Sequence, residues 1–188
     1  DRELLVLLQE RMGLALRSKK FKETLSDPQQ ENDMLARAER LHLDLIKGTF
    51  TRRLLKTIIE ETKRLQNEDR SLAAFQGEHG AYGEVAARQL VPDGAYIPCL
   101  EFIDVFRGVE DGYFDLGVVP VENSVEGSVR HTLDLFFESD LCICAERYQQ
   151  VSYDLLAQQI SLSAVKAVYA HSQALNQCRN WLNQYLSG

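Results

Sequence analysis

The first third of the chain repeats its apolar residues at the spacing of an amphipathic helix. Apolar positions three and four residues apart recur in three stretches, at residues 1–23, 28–47 and 49–66, and this period predicts three helices. Their stripes are Leu4, Leu5, Leu8, Met12 and Ala15; Met34, Leu35, Ala38, Leu41 and Leu45; and Leu54, Leu55, Ile58, Ile59 and Leu65. Asp27 and Pro28 mark the second helix as its N-cap and first residue, and Gly48 is expected to end it. Three helices of unequal length cover one another poorly, which favours an intertwined dimer.

From residue 72 onward the pattern changes to short β-rich runs separated by helical stretches. Strands are predicted at residues 72–75 and 116–121, with further candidates at 141–145, 152–157 and 165–170. Helices are predicted at residues 84–90 and 132–137. Alternation of strand and helix is typical of an α/β domain, and the polar segment 66–70 separates it from the helices. The sequence thus predicts two domains, the first all-α and the second α/β.

Composition and charge exclude several classes of protein. Hydrophobic residues make up 45% and charged residues 26% of the 188 positions, as in globular proteins. The net charge of −7 disfavours a nucleic-acid partner. No apolar run reaches the roughly 20 residues of a membrane span, and residues 1–3 do not resemble a signal peptide. The four cysteines form no CxxC pair; Cys142 and Cys144 are expected as buried free thiols on one strand face, which fits a reducing cytoplasm.

Five polar residues fall on the apolar faces of the predicted helices. At about 100° per residue, the inward set is Arg11, Lys22, Glu31, Thr62 and Gln66. Taken singly, each has an ordinary explanation, because long basic stems snorkel and a first-turn glutamate suits the helix dipole. The same winding directs Lys63 outward. Two inward cations are costly to bury unpaired, so the whole set predicts a bound ligand.

The inward residues also indicate the chemistry of that ligand. Two cations require carboxylates, and a glutamine with a glutamate suits hydroxyl or ether oxygens. Neither a Ser–His or Cys–His pair nor a metal-ligand cluster accompanies them in the sequence. This favours a reaction that depends on orientation and electrostatic stabilisation, without a nucleophile, a metal or a cofactor.

At these residues the first half resembles the all-helical chorismate mutases. Leu4, Leu5, Leu7, Leu8, Glu10 and Arg11 resemble the first-helix signature, and residues 58–66 the third-helix motif. The resemblance implies that Arg11 binds a substrate carboxylate and that Lys22 matches the family's lysine near the end of that helix. Glu31 matches the glutamate bound to the substrate hydroxyl, and Gln66 the glutamine facing the breaking ether bond. Thr62 and Asp27 are also expected to contact substrate.

Two features depart from the mutase pattern. Gln30 stands where many family members have an arginine before the glutamate. Family members also supply an arginine across the dimer from an earlier turn of the first helix, and that turn would precede Asp1. A chain without it is expected to be impaired as a mutase.

The second half resembles prephenate dehydratase, a domain commonly fused behind such a mutase. The resemblance is carried by a glycine loop (Phe75, Gly77, Gly80, Ala81, Tyr82), a Pro-x-Glu-Asn-Ser motif (Pro120, Glu122, Asn123, Ser124) and a His-Pro-Gln-like element (His171, Ser172, Gln173). It implies two α/β lobes around a cleft, as in periplasmic binding proteins. A glycine loop offers N–H groups to a dicarboxylate, and the second motif follows a strand's carboxyl end, where such sheets bind ligands.

We therefore expect a mutase domain at residues 1–68 and an incomplete dehydratase domain at 71–188. The implied function is phenylalanine biosynthesis: rearrangement of chorismate to prephenate, then decarboxylative dehydration of prephenate to phenylpyruvate. The family's Thr-Arg-Phe motif lies beyond residue 188, so little dehydratase activity is expected. The principal alternative is a non-catalytic two-lobed anion-binding module with a helical dimerisation arm, in which Leu or Ala would be expected at the five inward positions. A helical nucleic-acid regulator is disfavoured by the charge.

Overall fold

The computed structural model of the protein describes residues 1–22, 26–41, 44–125, 127–158 and 161–186, without the side chain of Gln173. Three helices form the helical half, defined here as residues 1–67. They are α1 (Arg2–Lys19), α2 (Pro28–Glu39) and α3 (Gly48–Asn67). α3 packs against both α1 and α2. The prediction of three helices is confirmed.

The second helix begins where predicted and ends earlier. One carboxylate oxygen of Asp27 accepts the N–H groups of Gln29 and Gln30, both at 3.0 Å, as an N-cap does. The expected end at Gly48 is wrong, because α2 stops at Glu39 and Gly48 opens α3. A Cβ at Gly48 would lie 2.1 Å from the carbonyl oxygen of Glu39. The glycine therefore serves close approach of two helices, and Leu45, 98% exposed, lies outside the apolar stripe.

The first helix also ends before the predicted residue. α1 stops at Lys19, and the N–H groups of Lys20, Phe21 and Lys22 each donate to the carbonyl three residues earlier. Such bonds tighten the last turn of a helix and change the direction of the side chains that follow. Lys22 thus lies beyond α1, and its predicted place on the inward face of that helix is wrong.

The α/β half, residues 72–186, is built on a parallel sheet of three strands. These are β1 (Leu72–Gln76), β2 (Ala95–Cys99) and β3 (Leu116–Val118), in the order β2-β1-β3. In this register Phe75 lies opposite both Pro98 and Val118. The segments that follow β1 and β3 therefore leave the sheet at the same edge.

Helices connect and follow the strands of this sheet. α4 (Tyr82–Leu90) and α5 (Phe102–Glu110) alternate with the strands; a hairpin of β4 (Glu122–Asn123) and β5 (Gly127–Ser128) then leads to α6 (Arg130–Glu138), a 3₁₀ turn (Leu162–Ala164) and α7 (Ser172–Leu186). The α/β prediction is thereby confirmed. The core lies between the sheet and α5 and contains Leu72, Ala74, Ile97, Cys99, Val105 and Phe114, with Leu16 of α1 packed against it.

The three later strand candidates are wrong. Residues 141–145, 152–157 and 165–170 form no strand, and Ile143, Leu156 and Tyr169 are 70%, 88% and 92% exposed. A strand requires a second strand beside it to pair its N–H and C=O groups, and within the described ranges no strand pairs with these segments. Cys142 and Cys144 are likewise exposed, against the expectation of buried thiols.

Strand β2 and helix α5 were not predicted. β2 contains Pro98, which argues against a central strand; however, β2 lies at the edge of the sheet, where a proline is tolerated. None of the helices in the described part of the chain is long and apolar enough to cross a membrane.

Candidate active sites

A polar contact joins α1 and α3 at the centre of the helical half. The guanidinium of Arg11 donates to the Thr62 hydroxyl oxygen at 2.7 Å. Thr62 is 9% exposed, and its hydroxyl donates to the carbonyl of Ile58 at 2.7 Å. The hydroxyl is therefore held in place by the helix backbone, and it directs an accepting lone pair at Arg11.

Gln66 lies one turn after Thr62 on the same face of α3. Its side chain is 3% exposed, and its amide nitrogen donates to the carbonyl oxygen of Ala15 at 2.6 Å. Ala15 is one turn after Arg11 on α1, so the two helices meet through two polar contacts on successive turns. An amide nitrogen carries two N–H groups, so one remains for a ligand.

Glu31 belongs to an ion pair of its own. A carboxylate oxygen lies 2.7 Å from the Lys63 ammonium, and the Ser26 hydroxyl donates at 3.2 Å. The hydrogen bond from Lys63 holds the pKa of Glu31 below its usual value. The prediction that Lys63 points outward is wrong, because its flexible stem reaches across to α2. Lys63 therefore forms a cluster with Glu31 and Ser26, which the helical pattern of the sequence did not predict.

The remaining two mutase residues lie at the surface. Lys22 is exposed beyond the end of α1 and has no ion pair within the described ranges. Asp27 is exposed, and its carboxylate caps α2. The structure therefore brings Arg11, Thr62 and Gln66 together and leaves Lys22 and Asp27 exposed, outside that contact.

In the α/β half, the glycine loop at residues 77–81 follows β1. Gly77 and Gly80 have φ values of +114° and +92°, a region that side chains rarely adopt. The N–H of Gly77 donates to the Cys99 carbonyl at 2.9 Å, and the N–H of Gly80 donates to a Glu84 carboxylate oxygen at 2.7 Å. Both N–H groups expected to bind an anion are engaged inside the protein, so the expectation does not hold for these two glycines.

The Glu84 carboxylate binds the glycine loop through Gly80 and His79, and the sequence analysis did not predict this role. Glu84 is 5% exposed and pairs with Arg88 at 2.6 Å and with His79 at 3.3 Å. Burial would raise the pKa of Glu84, but the donors at Gly80 and Arg88 outweigh burial and hold it below its usual value. The signal available in the sequence was an acid in the first turn of a predicted helix, four residues before an arginine.

Tyr82 is the first residue of α4 and connects the loop to a distant segment. Its hydroxyl lies in hydrogen-bond contact with the Ser152 backbone, donating to the carbonyl and accepting from the N–H at 3.0 Å. Next to it, the Tyr153 hydroxyl donates to the Gln177 side chain of α7 at 2.9 Å. Tyr82 thus links the glycine loop, through residues 152–153, to the helix preceded by His171.

The other dehydratase motif residues lie at two places. Glu122 and Asn123 form β4, just beyond β3, at the sheet edge that carries the glycine loop. The Asn123 side-chain oxygen accepts the N–H of Val125 at 2.9 Å, while Glu122 and Ser124 are exposed. His171 is exposed directly before α7, and Gln173 lies in the first turn of that helix, with its side chain outside the description.

Comparison with protein-family models divides the chain in the same way as the fold. Residues 1–67 match the model described as chorismate mutase type II. Residues 73–188 match the model described as prephenate dehydratase. The two matches define a two-part chain, in which a helical half of mutase type precedes an α/β half of dehydratase type. No solved structure matches the chain significantly.

Curated relatives carry both parts in one polypeptide. The bifunctional chorismate mutase/prephenate dehydratase of Aquifex aeolicus is 36% identical over 193 residues, covering 99% of this chain and 53% of that protein. The Escherichia coli K12 protein of the same name is 32% identical, covering 98% and 53%. Arogenate dehydratase/prephenate dehydratase 2 of Arabidopsis thaliana is 37% identical over 65% of this chain and 32% of its own length. The chain belongs to the bifunctional chorismate mutase/prephenate dehydratase family, and it spans about half the length of these bifunctional relatives.

Proposed function

We propose that the chain acts in phenylalanine biosynthesis as a mutase fused to a dehydratase, with domains at residues 1–68 and 71–188. The helical half rearranges chorismate to prephenate, and the α/β half belongs to the domain that converts prephenate to phenylpyruvate. All four cysteines are free thiols, which suits a cytoplasmic location. The names of the relatives and the two family models support this assignment.

One observation carries the mutase assignment: the Arg11 guanidinium is bonded to a neutral hydroxyl. It is half-buried between α1 and α3, contacts Thr62 at 2.7 Å, and has no carboxylate partner in the described part of the chain. A partly desolvated cation without a counterion favours an anionic ligand. By contrast, Glu31 is already neutralised by Lys63. Arg11 is therefore the anchor we assign to a substrate carboxylate.

Gln66 is the group that acts on the reacting atoms. In the rearrangement a C–C bond forms while the ether C–O bond breaks, and negative charge develops on the ether oxygen. A donor at that oxygen is used most in the transition state, and the second amide N–H of Gln66 supplies one. We assign a second donor at that oxygen to Lys22, and Glu31 is assigned to accept the substrate hydroxyl.

We further infer a homodimer through the helical half. Leu4, Leu5 and Leu7 near the start of α1 are 57%, 65% and 64% exposed in one chain. Adjacent exposed leucines are costly in water, and their burial against a second copy would contribute roughly 25 cal/mol per Å² of apolar surface. An intertwined pair of long helices is the arrangement that covers them.

For the α/β half we propose a two-lobed fold that binds the prephenate dicarboxylate at the carboxyl edge of the sheet. Glu122, Asn123 and Ser124 lie there beside the glycine loop, at the position where open α/β sheets bind ligands. Tyr82 extends this edge towards His171 and Gln173 through the 152–153 segment. Two-lobed closure would bring these groups onto one ligand.

The test is chorismate turnover by the parent and by Arg11→Gln, with Arg37→Gln as the matched control. Arg37 is an exposed arginine on α2. We expect Arg11→Gln to lose about 10²–10³-fold in kcat/KM, as when one charge-stabilising donor is removed, and Arg37→Gln to match the parent. Chorismate binding without turnover by the parent would instead support the non-catalytic anion-binding module.

A further inference from the structure

A second face of α1 packs against the α/β half. Gly13 lies so close to the sheet that a Cβ there would be 3.5 Å from the Ile97 side chain, and Leu16 packs on the core of the α/β half. Beyond the helix end, the Phe21 ring lies 4.7 Å from that of Tyr113. These residues, with Lys20, form what we call the seam. It runs along the side of α1 opposite to the one that carries Arg11.

Asp115, at the start of β3, connects the two sides of this seam. One carboxylate oxygen lies 2.5 Å from the Lys20 ammonium, and the other accepts the N–H of Leu72 at 2.8 Å. The Asp115 N–H in turn donates to the Leu72 carbonyl at 2.9 Å. Two hydrogen bonds to Leu72 therefore fix Asp115 to β1, the central strand. The Asp115 carboxylate is thus held in one position, where it pairs with the Lys20 ammonium.

This ion pair lies at the end of α1, the helix that also carries Arg11. Arg11 lies nine residues before Lys20, about 14 Å along a helix, and Lys22 lies two residues after it. The N–H of Lys22 bonds back to the carbonyl of Lys19, so Lys22 inherits its position from the turn that Lys20 fixes. On the opposite side, the Lys19 ammonium donates to the Glu68 carbonyl at 3.2 Å. The end of α1 is thus held between α3 and the sheet.

We propose that Asp115 is a positioning residue for the mutase reaction: through Lys20 it fixes the end of α1, from which Lys22 extends, and so limits the positions from which Lys22 can reach a ligand bound at Arg11. The inference rests on the proposed mutase function of the helical half. It makes the α/β half a structural support of the chemistry in the helical half, and it predicts that part of the mutase rate depends on a residue from the other half.

The test is a double-mutant cycle of Asp115→Asn and Lys20→Gln in the full chain. Asn keeps an acceptor for the Leu72 N–H and removes only the charge. Because Lys20 and Asp115 are partly exposed, each single change should lower kcat/KM for chorismate about fivefold, and the pair no further than either alone. Added salt should lower the parent rate towards that of the variants. Asp111→Asn is the control, since Asp111 is an exposed acid on the same connection without an ion pair in the described ranges.

Hydrogen exchange at residues 19–22 provides a readout that needs no turnover. We expect faster exchange there in Asp115→Asn than in Asp111→Asn. Unchanged kinetics in a folded Asp115→Asn variant, or additive losses in the double variant, would overturn the positioning role. If the parent does not consume chorismate, the proposed function fails and the positioning role falls with it, while the exchange result still reports whether the seam exists.

Discussion

Replacing Gln66 with Glu exchanges a buried donor for an acid of the same size. Gln66 is 3% exposed, and its amide N–H reaches the Ala15 carbonyl at 2.6 Å. At neutral pH the introduced carboxylate would face that carbonyl oxygen without a proton between them. Loss of the hydrogen bond and burial of the charge should together lower the free energy of unfolding by about 2–4 kcal/mol.

The replacement should also lower the rate of the reaction in the folded protein, in addition to its effect on stability. Loss of one donor to a developing oxyanion costs about 3–4 kcal/mol of the barrier, a rate factor of about 10²–10³. Burial raises the pKa of the introduced carboxyl above its usual value of about 4.3. As the pH falls through that raised pKa the acid regains a proton and loses its charge. Its single O–H replaces only one of the two N–H donors of the amide, so the stability and the rate should each return in part.

The assay is a pH–rate profile for chorismate disappearance in Gln66→Glu and in the parent, with Gln66→Leu as control. Leu removes the donor without adding a titratable group, so its rate should be low at every pH. Circular dichroism at each pH confirms that the proteins stay folded. A folded Gln66→Glu protein with the parental rate at pH 7.5 would refute the assignment of Gln66 to the reacting atoms.

Two further predictions concern the α/β half and the assembly. Because Glu84 ionises below its usual pKa in the fold, its charge stabilises the protein at neutral pH, and this contribution is lost as the pH falls through that lowered pKa. Glu84→Gln should therefore cost about 1–2 kcal/mol in urea unfolding at pH 7 and progressively less as the pH falls below the usual carboxyl pKa of about 4.3. A cost that does not decrease over that acid range would contradict the role. Light scattering at micromolar concentration should give twice the 21.4 kDa of one chain, and a mass of one chain would exclude the dimer.

Local signals in the sequence predicted those features that depend on few residues. Asp27 before Pro28 identified the start of α2, since an N-cap acts on the next two or three N–H groups alone. Helical winding placed Thr62 and Gln66 inward, and both are buried, because a straight helix keeps its faces over five turns. The same winding failed for Lys22, where the last turn of α1 tightens and ends the period.

The features that depend on distant partners were not predictable in this way. Lys63 pairs with Glu31 across 32 positions of sequence, and a flexible stem does not follow the helical wheel. The predicted helix end at Gly48 is wrong because the close approach of Gly48 to Glu39 depends on how two helices cross, which the local sequence does not show. Strand β2 was not predicted because it contains Pro98. A proline is tolerated in an edge strand, and the order of the strands in the sheet is needed to identify β2 as one. The roles of Arg11, Lys22, Glu31 and Gln66 towards substrate remain predictions.

The most direct test of the account follows chorismate and its product by proton NMR in the presence of the purified chain. The central claim is that the helical half, with Arg11 as a carboxylate anchor and Gln66 as a donor, rearranges chorismate. It predicts enzyme-dependent loss of the chorismate signals with matching growth of those of prephenate, at a rate proportional to protein concentration and reduced in Arg11→Gln. Loss of chorismate at the rate of the buffer alone would contradict it.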